Sequence, residues 1–339
     1  MRLTSRLGYS DGFLKIAERV VKLEEAGVDQ VWVAEAYSFD AATRLGFLAA
    51  RTRRVQLGSG IFPIYSRTPT LLAQTAAGLD ELSNGRAILG LGASGPQVIE
   101  GFHGVVYDRP VQRMREIIEI CRRVWRRDVV QYQGKAYTLP LPADRGTGLA
   151  KALKISTHPV RDRIPIYLAS LGERSVELTA ELADGWLPIF LAPSRMAAAV
   201  AELEAGAKAA GRSWRDITIS PQVSVYVTDD VAAARDRERP HIAFYIGGMG
   251  VFYHEYMQRI GFGAEADRVR EAYRARERDR AAKLVTDEMV DAMTIIGNPR
   301  QCRDQMQAFF DAGVRDVRLV FNEPNKEAYV KALRALAPR

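Results

Sequence analysis

Residues Glu24–Glu35 read EEAGVDQVWVAE, and near the other end of the chain Phe309–Phe321 read FFDAGVRDVRLVF. Each stretch has a helix end, a Gly-Val turn and a β-branched run with the character of a buried strand. One helix-to-strand joint repeated at both ends suits a closed, repeating unit. Between the two copies, short aliphatic runs recur: VQLGSGI at 55–61, AILGLGA at 87–93, PIYLASL at 165–171, GWLPIF at 185–190 and ITISPQVSVYV at 217–227. With RLTSRLGYS at 2–10, QVWVAE at 30–35 and VRLVF at 317–321, eight strands are predicted.

Amphipathic helical stripes separate most of these runs, among them Phe13, Ile16, Ala17, Val20 and Leu23, and later Cys302, Met306, Phe309 and Phe310. Glycines follow several stripes at positions 27, 85, 211 and 313, where helices end. A doubly wound open sheet also alternates strand and helix, but eight units in succession match a (β/α)8 TIM barrel better. The chain is therefore expected to be a single α/β domain over 1–339. Two interruptions, at about 128–163 and 231–292, are expected to lie as insertion segments over the C-terminal face, where barrel active sites lie. The first contains QYQGKAYTLP, a hairpin signal with Gly134 at the turn.

Composition agrees with that class. With 339 residues, 47% hydrophobic and 26% charged, disorder and a disulfide scaffold are excluded. Cys121 and Cys302 are isolated, no CxxC occurs, and the four histidines are scattered, so no metal site is expected. No run approaches the length of a membrane span and no apolar leader opens the sequence, which points to a cytoplasmic protein without a membrane partner. The net charge of +7 invites a nucleic-acid reading. The cations, however, sit on helices beside acids, as where Arg113, Arg115, Arg122 and Arg123 accompany Glu116 and Glu119, and no nucleic acid is expected.

The strand ends carry the chemical signals. GLGASG at Gly90–Gly95 fits G-x-G-x-x-G, yet it lies on the fourth strand, lacks the acidic residue a dinucleotide fold places further on, and runs into Pro96. A strand end where backbone approaches a flat ligand fits better. Gly58 and Gly60 inside VQLGSGI suggest a bulge beside a ligand, or relief of crowding inside the barrel. Glu35 ends the second strand and is either a site residue or the partner of a barrel arginine. The loop Ala169-Ser170-Leu171-Gly172 leads into a helix whose free N–H groups would favour an anion such as phosphate, with a plain capped helix as the alternative.

Taken together, VWVAEA, LGSGIFPIYSRTP, LDELSNGRAILGLGASGPQVIEGFHG, IPIYLASLG, ADGWLPIF and YIGGMG resemble the luciferase-like monooxygenase superfamily, in its branch that uses coenzyme F420. The resemblance implies a TIM barrel, a homodimer and a bound deazaflavin. It implies that a non-prolyl cis peptide at Gly60–Ile61 backs the ring and that Glu35 touches the ring side of the coenzyme. Gly92, Ala93 and Ser94 would lie beside the coenzyme's side chain. Ala169, Ser170, Leu171 and Gly172 would take its phosphate, with Pro188 and Ile189 next to it. Relatives acting on sugar phosphates and alcohols carry a His directly after the acidic residue; here it is Ala36, and Gly95 and Pro96 replace a Glu. Catalytic groups would then come from elsewhere, the candidates being Tyr9, Tyr65, His103 and Tyr245. The expected function is hydride transfer between F420 and a small, apolar organic substrate, in a pocket to which Phe62, Phe190 and Phe244 contribute. The alternatives are an FMN-dependent flavin monooxygenase of the same superfamily and a non-catalytic F420-binding protein.

Overall fold

The computed structural model describes residues 2–7, 12–191, 195–321, 331–332 and 336. Its strands are β1 (Arg2–Leu7), β2 (Gln30–Val33), β3 (Gln56–Ser59), β4 (Phe62–Pro63), β5 (Ala87–Gly92), β6 (Tyr132–Gln133) and β7 (Thr138–Leu139). They continue with β8 (Ile166–Ala169), β9 (Gly185–Trp186), β10 (Thr218–Ile219), β11 (Gln222–Val227), β12 (Thr294–Gly297) and β13 (Asp316–Phe321). The outer helices are α1 (Phe13–Glu25), α2 (Ala41–Arg51), α3 (Pro69–Leu82), α4 (Pro96–Ile99), α5 (Pro110–Trp125), α6 (Glu173–Leu182) and α7 (Met196–Ala209). After β11 come α8 (Val231–Gly248), α9 (Phe252–Arg259), α10 (Gly263–Arg274), α11 (Arg278–Lys283) and α12 (Asp287–Asp291), and α13 (Pro299–Asp311) precedes the last strand.

One parallel sheet runs in the order β10-β9-β8-β5-β3-β2-β1-β13-β11-β12. Its two ends belong to one stretch of chain. Thr218 and Ile219 pair with Gly185 and Trp186, and four residues on, Gln222–Val225 pair with Arg318–Phe321. A parallel bridge from Ile189 to Gln222 seals the same seam. The sheet therefore closes on itself with eight strand segments, the barrel the sequence predicts. Its strands are buried on both faces, which is why β2 and β5 are continuous apolar runs without alternation.

The two copies of the Gly-Val joint have one geometry. Val28 N–H reaches Leu23 O at 2.9 Å, and Val314 N–H reaches Phe309 O at 3.1 Å. Gly27 and Gly313 hold φ at 95° and 92°, a left-handed turn that a side chain disfavours. The valine that follows is buried in both copies, so each turn also aims the next strand into the core. Helix starts are capped from the sequence as well: Thr68 and Pro69 open α3, and Asn298, Pro299 and Gln301 form a capping box on α13.

Two placements differ from expectation. The hairpin at β6 and β7 forms with Gly134 in its turn, but segment 128–163 follows α5 and not a strand. It packs along α5, where Glu116 accepts the amides of Lys135, Ala136 and Tyr137. Arg161 then reaches Asp80 at the end of α3 and Ala87 O at the start of β5, on the N-terminal side of the barrel. The 231–292 segment covers the strand ends, packing on Phe190 and Tyr226. The second difference is β12, Thr294–Gly297, which pairs in parallel with Ser224–Val227. Its four residues are too few to stand out beside the charged helices before it.

Among the described residues, three apolar cores result. The largest lies between barrel and outer helices, around Leu23, Leu45, Leu72, Ile117 and Leu203; each such side chain contributes about 1.5–3 kcal/mol by burial. A smaller one, with Trp32, Ile88, Tyr167 and Leu187, fills the barrel interior. The third joins α8–α12 to Phe190 and Tyr226 at the strand ends.

Candidate active site

The mouth of the barrel is shaped first by close backbone packing. Ser59 Oγ donates to Gly90 O at 2.8 Å and accepts from Gly90 N–H at 2.9 Å, which ties β3 to β5. A Cβ on Gly90 would lie 1.8 Å from Ser59 O, so no other residue fits there. A Cβ on Gly58 would lie 2.4 Å from the Trp32 ring, which makes that glycine a concession to barrel packing. Beyond it Gly60 N–H donates to Val33 O at 2.7 Å, and the Gly60–Ile61 peptide is cis. Ile61 then packs on the interior core and against Gly92, where a Cβ would come within 2.9 Å of it. The two glycines at 90 and 92 thus let the bulge lie flat across β5. Ala93 is partly buried, and Ser94 follows with φ 58°.

Glu35, at the end of β2, is buried and meets Arg67 in a bidentate pair with N–O distances of 2.6 and 2.9 Å. It also accepts the Ala41 amide at 2.7 Å, at the start of α2. Of the two readings open to Glu35, partnership with an arginine is the one its contacts make. Burial alone would lower the Arg67 pKa, but its hydrogen bond to Glu35 and the charges of Glu35 and Asp40 raise it overall. The guanidinium also lies 4.4 Å from the centroid of Phe62, so that ring is covered and does not face the mouth.

On the opposite wall, β8 ends at Ala169, whose side is open. Ser170 is turned inward: its Oγ contacts Thr179 Oγ1 at 2.5 Å, and its carbonyl accepts from Trp186 Nε1 at 3.0 Å. Gly172 is the N-cap of α6 and supplies no side chain, so the Glu173 and Arg174 amides have no acceptor within the helix. Pro188 O is taken by the Gln222 amide and by Arg318, which is buried inside the barrel. Burial pushes the Arg318 guanidinium down to about 9, with Arg6 adding to the effect.

A cleft of 1140 Å³ opens beside this wall. Its upper end is bounded by Leu171, Pro188, Leu191, Arg195, Tyr256 and Arg259, and it continues down the groove between α6 and α7. Arg259 donates to Leu171 O, and Arg195 donates to Ile260 O. Two cations therefore stand beside the uncapped end of α6. Acids stand there too: burial raises the Glu202 carboxyl pKa, Arg259 opposes that, and Glu173 and Glu177 reinforce it.

The last wall is α8. It starts beyond β11 and ends where Gly250 meets Gln97, in the segment after β5. Its 18 residues, about 27 Å at the α-helical rise, thus bridge the mouth. Glu238, His241 and Tyr245 share one face of it, at i, i+3 and i+7. Glu238 accepts from Ser224 Oγ at 2.9 Å and Tyr226 Oη at 2.7 Å, and lies 2.7 Å from His241 Nδ1. The His241 ring packs edge-on to Tyr245 and lies 6.1 Å from Phe190, at the end of the β9 segment. Tyr245 completes an aromatic wall with Phe190 and Tyr253.

Of the candidate catalytic residues, Tyr245 lies on this wall. Tyr65 does not: its hydroxyl donates to Asp108 O at 2.8 Å, and burial pushes its pKa well up. His103 stands against Phe102 with Nε2 buried and unbonded, and Tyr9 lies outside the described residues. Phe244 packs on Tyr245 and Tyr273. Arg67 and the Glu238–His241 pair escaped sequence reading. The pair has a sequence signal, an acid and a histidine three apart on a helical stretch. Among the described residues, no three His, Cys, Asp or Glu side chains are grouped to hold a metal ion.

An eight-stranded parallel barrel with a helical cover and a glycine-lined mouth defines a class of small-molecule enzyme scaffold. The chain belongs to the luciferase-like monooxygenase family, which it matches over residues 2–316. It is 43% identical over 324 residues to a Mycobacterium tuberculosis protein named as a coenzyme F420-dependent oxidoreductase, covering 93% of each chain. It is 30% identical over 304 residues to the 5,10-methylenetetrahydromethanopterin reductase of Archaeoglobus fulgidus, covering 88% of this chain and 87% of that one. Among solved structures, the F420-dependent tetrahydromethanopterin reductase of Methanopyrus kandleri superposes with a TM-score of 0.81 at 25% identity, over 99% of this chain and 96% of the other.

Proposed function

We propose that this chain is an F420-dependent oxidoreductase that moves a hydride between the deazaflavin and a small, apolar organic substrate. The observation that carries the reading is the uncapped start of α6 beside Arg195 and Arg259, opening on the 1140 Å³ cleft. A helix N-terminus with free amides and two guanidinium groups suits a phosphorylated, acidic coenzyme tail. The wall formed by Gly60, Ile61, Gly92, Ala93 and Ser94 would back the flat ring, and Leu171, Gly172, Pro188 and Ile189 would border the phosphate. Ala169 faces the mouth, whereas Ser170 and Glu35 act from behind by fixing the loop and Arg67. When bound, the coenzyme supplies the two-electron chemistry; the protein supplies placement and electrostatics. The aromatic wall of Phe190, Tyr245 and Tyr253 favours an apolar substrate. Residues 1–339 are read as one domain that pairs as a homodimer.

Purification from an F420-producing host tests this reading. The protein should carry the absorption and fluorescence of the deazaflavin through size exclusion, at the elution volume of a dimer. A yellow protein carrying only FMN would replace the reading with a flavin monooxygenase.

A further inference from the structure

Hydride transfer to or from a carbon–heteroatom bond also needs a proton at the heteroatom, and Ala36 stands where a histidine base is absent. We propose that His241 is that acid–base group and that Glu238 is its positioning residue. The proposal rests on the F420 reading above.

Three observations carry it. Glu238 is 1% exposed, yet its carboxylate is met from three sides, by Ser224, Tyr226 and His241 Nδ1. Ser224 and Tyr226 fix the carboxylate, and the carboxylate fixes the ring: a neutral imidazole facing it at Nδ1 carries its proton there and leaves Nε2 as the free base. The His241 side chain is 36% exposed, so Nε2 can exchange protons while Nδ1 is held. Finally, the ring sits at mid-span of the helix that bridges the mouth, beside Phe190 at the end of the β9 segment. His254 makes a useful contrast. Both of its ring nitrogens are occupied, by Asp267 at 2.7 Å and Arg270 at 3.3 Å.

With a reduced deazaflavin as hydride donor to the carbon of a C=O or C=N group, protonated His241 would give its Nε2 proton to the heteroatom. The substrate gains two electrons and two hydrogens, the coenzyme loses two electrons, and the imidazole recovers its proton from solvent. In the oxidative direction Nε2 takes the proton of the O–H or N–H group as the hydride leaves.

The test is nitrogen-15 NMR of histidine-labelled full-length protein at about pH 9, above the ordinary histidine range. His241→Asn, a change at a half-exposed position, assigns the resonance. In the free protein His241 should be the Nδ1–H tautomer. Saturating F420, followed by fluorescence in the same sample, should shift His241 Nε2 and leave the distant His158 unmoved. Glu238→Gln should reduce the Nδ1–H fraction at least about twofold, a change that mere packing would not produce; the wild-type spectra stand even where that variant folds poorly. An Nε2–H tautomer, or bound F420 with an unmoved His241 Nε2, would overturn the proposal. Absence of F420 binding would instead remove the coenzyme reading on which it rests.

Discussion

The carboxylate of Glu35 and the guanidinium of Arg67 face each other in two parallel hydrogen bonds, with side chains only 7% and 11% exposed. Because the pair is buried and also anchors the start of α2 through Ala41, breaking it strands a charge. Arg67→Met should destabilise the protein by about 3–5 kcal/mol. Glu35→Gln should cost less, since the amide oxygen can still accept a hydrogen bond from Arg67. Urea denaturation of both variants checks the order, and equal costs would contradict it.

The glycines of β5 should respond unequally to alanine. At Gly90 the new methyl would lie 1.8 Å from a backbone oxygen of β3, which cannot retreat without opening the sheet. Gly90→Ala should therefore lower stability by several kcal/mol, about 3 or more, or prevent folding. At Gly92 the obstacle is the end of the Ile61 side chain, 2.9 Å away, which can rotate. Gly92→Ala should fold and lose coenzyme affinity instead. Thermal melts together with coenzyme titration separate the two outcomes.

Asp316 gives a pH dependence. It is buried at the start of β13, with Arg2 Nε at 3.3 Å, and burial pushes its carboxyl up to about 6, against the opposing pull of Arg2. The folded state thus holds the proton more tightly than the unfolded chain does. This group's contribution to stability is greatest below the ordinary aspartate range, near pH 4, and is lost as pH rises through about 6. Asp316→Asn, which mimics the neutral form, should raise the melting temperature at about pH 8 and leave it nearly unchanged at about pH 4. A gain at low pH only would reverse the sign and refute the assignment.

The cations beside α6 should act on the coenzyme and little on the fold. Arg259→Ala and Arg195→Ala should each weaken F420 binding by about 10- to 100-fold, the range for a charge-assisted hydrogen bond. The loss should shrink as salt is raised. A phosphate-free deazaflavin should be almost indifferent to both changes, and equal losses for the two ligands would contradict a phosphate contact.

Much of the barrel was legible because its strands are buried on both faces and so read as unbroken apolar runs. The Gly-Val joints at 27–28 and 313–314 were readable for a related reason: a left-handed turn before a buried valine leaves a two-residue mark. The far end of segment 128–163 is tied down by Arg161 on Asp80, a contact 81 positions apart that leaves no local mark. Strand β12 was missed because four residues carry too short a pattern. The contacts of Tyr65 and Glu35 were not legible, since the residues that engage them, Asp108 and Arg67, are 43 and 32 positions away. The Glu238–His241 pair was legible in principle, but its fixing partners Ser224 and Tyr226 arrive only through tertiary packing.

The central claim is that the barrel mouth is built for F420. Parallel equilibrium titrations of the apoprotein with F420 and with FMN test it most directly, read by ligand fluorescence at moderate salt. Saturable F420 binding at least about tenfold tighter than FMN is expected, a difference of roughly 1.4 kcal/mol. Tighter binding of FMN, or no saturation by F420, would contradict it.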